Sequence, residues 1–121
     1  MIIWGGYDGS APYLNTGGRY NPSTDLWTAT TTLNAPSARQ EHTAVWSTTC
    51  NEMIIWGGYI GVNGFNSGGR YRPSTDSWTT TGTTGAPSAR YGHATVWTGY
   101  QMIVWGGYDN IYTTTGGKYT P

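Results

Sequence analysis

Little in this chain is charged, and almost none of it is lysine. Across 121 residues six basic side chains face six acidic ones, for a formal charge of zero, and Lys118 is the single lysine. No positive stripe is available to grip a phosphate backbone, so nucleic acid is excluded as a partner. Cysteine is nearly missing too: Cys50 stands alone, which rules out an internal disulfide and any thiol cluster for a metal. No apolar run approaches the ~20 residues of a helical membrane span, and Met1 opens on a strand-like run rather than on the basic, then apolar, region of a signal segment. The scarcity of lysine beside Thr-, Gly- and Trp-rich stretches reads as the composition of an exported bacterial protein, extracellular or periplasmic.

What the chain does have is glycine (19), tyrosine (10) and tryptophan (7), a mixture suited to short strands and tight turns rather than helices or disorder. It also repeats. Met1-Ile2-Ile3-Trp4-Gly5-Gly6-Tyr7 returns as Met53-Ile54-Ile55-Trp56-Gly57-Gly58-Tyr59 and as Met102-Ile103-Val104-Trp105-Gly106-Gly107-Tyr108, with starts 52 and 49 residues apart. Four apolar residues ended by paired glycines are too few for a helix and predict a strand buried on both faces. Such a strand lies between two other sheets.

The middle unit reads as four strands. Strand A is His42 to Trp46, alternating small or polar with apolar positions, and a hairpin tip leads to strand B, Met53 to Tyr59. A loop from Ile60 to Ser67 follows, then strand C, Gly68 to Arg72. Pro73-Ser74-Thr75-Asp76 makes a turn in which proline presets one dihedral and the aspartate accepts backbone hydrogen bonds. Strand D is Ser77 to Thr81. The connection from Gly82 to Arg90 brings the chain to the next strand A at His93. Tyr20 precedes Trp27 by seven residues just as Tyr71 precedes Trp78, and Pro36 and Pro87 follow those tryptophans by nine. Between glycine pairs the B-to-C loop runs ten, nine and then eight residues; variation confined to loops is what a packed repeat produces.

Apolar run, glycine pair, tyrosine, then tryptophan seven residues on (Ile54-Ile55-Trp56-Gly57-Gly58, Tyr71, Trp78) resembles the kelch repeat across essentially the whole chain. The resemblance implies an all-β fold of kelch-type β-propeller blades, each of four antiparallel strands, with strand A near the central channel and the tryptophan of strand D packed between blades. About two and a half blades are expected: residues 1–33 as strands B, C and D of one, 42–81 as a complete blade, and 93–121 as strands A, B and C of a third. The structural motif is then Gly5, Gly6, Gly57, Gly58, Gly106, Gly107, Tyr20, Trp27, Tyr71 and Trp78. One blade is a small sheet with two apolar faces, so it needs neighbours on both sides. The ten strands expected here close no ring, which predicts further blades, from the rest of a longer parent chain or from other copies.

Function is legible only as a face. Arg39 and Arg90 each end a Pro-Ser-Ala-Arg stretch leading from strand D of one blade to strand A of the next, on the face that carries the B-to-C loops. In kelch propellers, the resemblance implies, that face docks peptides and proteins, and guanidinium forks suit carboxylates; the competing reading is an arginine tying two blades together through backbone carbonyls. Tyr59, Asn63 and Phe65 in the second loop, and Tyr108 and Asp109 in the third, complete the ligand-face candidates, since aromatics beside amides suit a protein or sugar surface.

His42 and His93 recur three residues after the arginines, and one histidine per unit reads as packing rather than as a metal pair. Asp25 and Asp76 recur in the proline turn, where capping is a fuller account than glycosidase chemistry. No cofactor, metal or catalytic residue is assigned. The leading expectation is a non-catalytic protein-interaction or structural scaffold module. The alternatives are the propeller domain of a carbohydrate-active or copper oxidase enzyme, or a carbohydrate-binding propeller. A copper oxidase would require a reactive cysteine beside a tyrosine plus histidine ligands, and Cys50 lies at an A-to-B hairpin tip on the opposite face.

Overall fold

The computed structural model describes residues 1–10 and 12–121. Among them every regular element is a strand. β1 (Ile2–Gly6), β2 (Leu14–Asn21) and β3 (Leu26–Ala29) form one antiparallel sheet. β4 (Thr43–Ser47), β5 (Glu52–Trp56), β8 (Gly68–Arg72) and β9 (Ser77–Thr80) form a second, with the short hairpin β6 (Tyr59–Ile60) and β7 (Asn63–Gly64) inserted between its middle strands. β10 (Ala94–Trp97), β11 (Met102–Trp105) and β12 (Gly116–Tyr119) form the third. Each sheet is a meander of neighbouring strands, the kelch blade of a partial propeller. Strands A to D of the middle repeat are β4, β5, β8 and β9.

The continuous apolar run of β5 works as the pattern requires, with all five residues buried. Alternation along the strand sends Met53 and Ile55 to one side, where they cluster with Tyr71, Trp78 and Trp4 of the first sheet. Ile54 and Trp56 point to the other side and meet Met102 and Val104 of the third sheet. A fully buried side chain of this size stabilises the fold by ~1.5–3 kcal/mol, so the two joints between blades carry most of the apolar core. The register places Tyr71 opposite both Met53 and Trp78, and the seven-residue offset between tyrosine and tryptophan is therefore a cross-strand pair.

Strand B ends earlier than its sequence suggests. Gly57 and Gly58 take φ of +71° and +89°, outside the extended region, and a Cβ at Gly58 would stand 2.6 Å from the carbonyl oxygen of Gln40. The pair thus turns the chain out of the sheet and lets the backbone leading into strand A pass close by. Tyr59 consequently belongs not to strand B but to a separate hairpin, pairing with Gly64, in what was expected to be irregular loop.

Burial on both faces holds only for the middle copy. Ile3 and Trp105, equivalent to Ile55 and Trp56, are 55% and 58% exposed, because among the described residues no sheet covers the outer faces of the first and third blades. Trp27 departs from its expected place between blades for the same reason, lying half in solvent.

Candidate functional site

Arg39 and Arg90 stand at the loop face, but inside it. Each is almost fully buried. The Arg39 main chain bonds to the first blade, its N–H donating to Leu14 O at 3.2 Å and its carbonyl accepting from Gly6 N at 2.8 Å. Its guanidinium bonds to the second blade, with Nη1 donating to Gly57 O at 3.0 Å and Ser67 O at 2.8 Å, while Nε reaches back to Ser37 O. The cation also lies 4.0 Å from the centre of the Phe65 ring. Arg90 repeats the pattern one blade on: main chain to Phe65 O and Gly58 N, guanidinium to Gly106 O at 3.0 Å and Thr115 O at 2.7 Å. Both side chains are spent on carbonyls at the base of a B-to-C loop, and Phe65 is spent beneath one of them. Of the two readings open for these arginines, the observed bonds are those of the one that ties two blades together through backbone carbonyls, and we call the contacts staples. Burial lowers the Arg39 pKa to about 10, which leaves it charged at neutral pH.

The histidines line the same joints. His42 packs edge-on against Trp4 at 5.5 Å between ring centroids, and His93 against Trp56 at 5.3 Å. The His93 Nε2 lies 2.8 Å from Thr43 Oγ1, whose hydroxyl is 2.7 Å from that of Thr95, so the inner strands β4 and β10 are joined through side chains. Burial first, then the neighbouring arginine, pushes each imidazole down to about 4. Both are neutral in the folded protein at pH 7. Since an unfolded histidine titrates near 6.5, the unfolded chain binds more protons than the folded one between pH 6.5 and 4, and stability falls as pH drops through that window. Thermal midpoints are expected to be flat above pH 7 and to decline from pH 6.5 towards 4, with both imidazole resonances titrating near pH 4. A ring titrating near 6.5 in the folded protein would contradict this.

What remains on the loop face is tyrosine. Rings run in a row across all three blades: Tyr7 to Tyr13 at 5.1 Å, Tyr13 to Tyr59 at 6.1 Å, Tyr59 to Tyr91 at 4.5 Å, Tyr91 to Tyr108 at 5.3 Å and Tyr108 to Tyr112 at 5.4 Å. Gln40 donates to the Tyr59 hydroxyl. Asn63 is exposed at the hairpin tip, whereas Asp109 accepts from the Ser88 hydroxyl and sits 3.9 Å from Arg90. Tyr91 is the residue that sequence reasoning missed. It follows Arg90 as Gln40 follows Arg39, a position that varies between copies beside one that does not, and that contrast was the available signal.

The turn aspartates act at a distance. Asp76, at φ +47°, accepts from the Tyr71 hydroxyl at 2.5 Å and from the N–H of Thr31 in the preceding blade at 3.1 Å. Asp25 accepts from Tyr20 at 2.9 Å. The expected capping of their own turn gives way to a bond with the strand-C tyrosine and, for Asp76, to a link between blades. Burial and the Asp76 contact together push the Tyr71 phenol up to about 12. Glu52, at the far end of the second blade, is buried and paired with Arg72 at 2.7 Å, with Arg70 at 3.7 Å. Cys50 lies at the tip between β4 and β5, partly buried, with Thr49 Oγ1 4.0 Å from its sulfur.

A family model described as the KLHDC2/KLHL20/DRC7 Kelch-repeats domain matches residues 1–119. No curated protein matches the chain.

Proposed function

Because this chain belongs to the Kelch-repeat domain family, we propose that it serves as a non-catalytic interaction and scaffold module, docking a protein partner on its B-to-C loop face. The observation that carries this reading is the tyrosine row, which crosses three blades on one face. Tyrosine offers a large amphipathic contact with few rotatable bonds, the side chain that docking surfaces favour. The row is held on a rigid base, since the arginine staples fix each loop to the neighbouring blade. The groups that chemistry would recruit there are committed: both guanidiniums to carbonyls, both imidazoles neutral against tryptophan.

The scaffold part of the proposal concerns the flanks. Positions that are buried at internal joints, such as Ile54, Ile55, Trp56 and Trp78, have open counterparts in Ile103, Ile3, Trp105 and Trp27. Those outer faces suit further blades, from a longer parent chain or from other copies.

A photo-crosslinker placed at Asn63 tests the docking face, with Thr48 on the opposite face as its control. In extract of the source cells, protein is expected to be captured from position 63 and not from 48, and capture should be lost with Tyr59→Ala. Equal capture from both positions, or capture indifferent to Tyr59, defeats the proposal.

A further inference from the structure

At one end of the tyrosine row the rings stop lying side by side and form a corner. Tyr108 and Tyr112 meet at 76°, with Tyr91 tilted 46° to Tyr108. Together with Glu41, Gly92 and Gly107 they line an open cleft of about 540 Å³ where the second and third blades meet. The Glu41 carboxylate stands at its wall, its Oε2 3.7 Å from where a Cβ on Gly92 would be. Among the described residues that carboxylate has neither a hydrogen bond nor an ion pair. The Arg39 guanidinium is directed instead to Gly57 O and Ser67 O, and that of Arg90 to Gly106 O and Thr115 O.

Glu41 also holds a φ of +53°, and its counterpart in the next repeat is Gly92 at φ +62°. The backbone there takes the left-handed conformation that glycine adopts freely and a side chain adopts only against its own steric preference. The second blade carries a carboxylate in spite of that preference. Burial first, then Tyr108 and the Glu41 carboxylate, raise the Tyr91 hydroxyl above its ordinary value.

We propose that this cleft binds an organic ammonium ion, seated against the faces of Tyr91, Tyr108 and Tyr112 and paired with the Glu41 carboxylate. Aromatic faces carry negative charge, and rings set at an angle present it to one point from several directions. A flat sugar would want a parallel platform, and an anion would be repelled by Glu41. A lysine side chain of a protein partner and a free quaternary amine share the required chemistry. The inference rests on the loop face being a docking surface, yet its test needs no protein partner, so a failed crosslink and a failed titration are distinguishable.

The test is a titration of the whole chain, followed through the amide resonances of Gly92 and Gly107, with choline and with its neutral isostere 3,3-dimethylbutanol. Choline is expected to saturate with a dissociation constant on the order of 1 mM, and the isostere to bind about ten-fold more weakly, because only the charge differs. Glu41→Gln should weaken choline about five-fold while the resonances of Met53 and Tyr71 stay in place. Tyr91→Ala should abolish binding, and if that variant fails to fold, the exposed Glu41 position still decides. Equal affinity for choline and the isostere, indifference to Glu41→Gln, or no saturation by choline overturns the proposal. N-acetyl-trimethyllysine amide and N-acetyl-lysine amide separate the sources: tighter binding than choline assigns the site to a protein side chain, and weaker binding assigns it to a free amine.

Discussion

Trp78→Ala is expected to remove ~3–5 kcal/mol of stability, the range for emptying a buried tryptophan site, while Trp27→Ala costs less than about 1 kcal/mol. The two residues occupy the same place in their repeats, so propensity and local sequence cannot separate them. What separates them is the neighbour. Trp78 is 4% exposed, tilted against Trp4 at 5.3 Å, and donates from Nε1 to Thr31 O at 3.1 Å in the preceding blade. Its loss opens a cavity between two sheets and leaves that carbonyl without its donor. Trp27 is 51% exposed and leans on Tyr20 and over Gly18, both of its own blade. For a domain whose total stability is of order 5–15 kcal/mol, the first substitution endangers the fold and the second is within ordinary surface variation. Denaturant midpoints of the two variants check this. A cost at Trp27 equal to that at Trp78 would mean that the outer face of the first blade is covered in solution, and a midpoint that rises with protein concentration would identify a second copy as the cover.

The same pair shows what could be read without coordinates. Strand identity and order were legible because a four-residue apolar run, a glycine pair and a fixed Tyr-to-Trp offset are local signals that a blade repeats. The offset marked Tyr71 and Trp78 as repeat positions, which the structure pairs across two strands. It did not find Asp76 accepting from that tyrosine, although Tyr20 and Asp25 keep the same five-residue spacing, because a turn aspartate has a sufficient local explanation and nothing in the sequence calls for a second one. The hairpin at Tyr59–Ile60 and Asn63–Gly64 was hidden for a related reason. It depends on backbone bonds exchanged between Tyr59 and Gln40 and on the Arg90 N–H that donates to Phe65 O, partners that come from other parts of the chain and leave no period behind.

The site was legible as a face and illegible as chemistry. A Pro-Ser-Ala-Arg stretch states that a guanidinium reaches the loop end of a blade; whether it meets a ligand or a carbonyl is decided by the distance to Gly57 and Ser67, residues 18 and 28 positions away. The tyrosines have the opposite history. Tyr59 and Tyr108 looked like isolated loop aromatics and Tyr91 drew no attention, yet the stacking of blades sets Tyr13, Tyr59 and Tyr91 from successive units in one row.

The staple reading and the ligand reading of Arg39 make opposite predictions for one substitution. Arg39→Met keeps much of the aliphatic volume and deletes the donors. If the guanidinium is structural, Gly57 O loses its partner in a buried place, Ser37 O loses its own in a partly buried one, and Ser67 O keeps only Gly57 N. Each orphaned buried acceptor costs about 1–3 kcal/mol, and the contact with Phe65 goes as well. A loss on the order of 3–5 kcal/mol is then expected, as large as that of the interblade tryptophan. Arg39→Lys should recover only part of it, because an ammonium is a point charge and cannot reproduce a planar fork reaching carbonyls on two sides. The loss should also be local before it is global. Because the Arg39 main chain accepts from Gly6 and its side chain holds the base of the loop that begins at Tyr59, hydrogen exchange at Gly6 and Tyr59 should accelerate in Arg39→Met more than at Ile54 or Ile55. If instead Arg39→Met folds with a denaturant midpoint within about 0.5 kcal/mol of the parent and those amides keep their protection, the guanidinium is free for another task. An acidic ligand on the loop face would then have to be reconsidered.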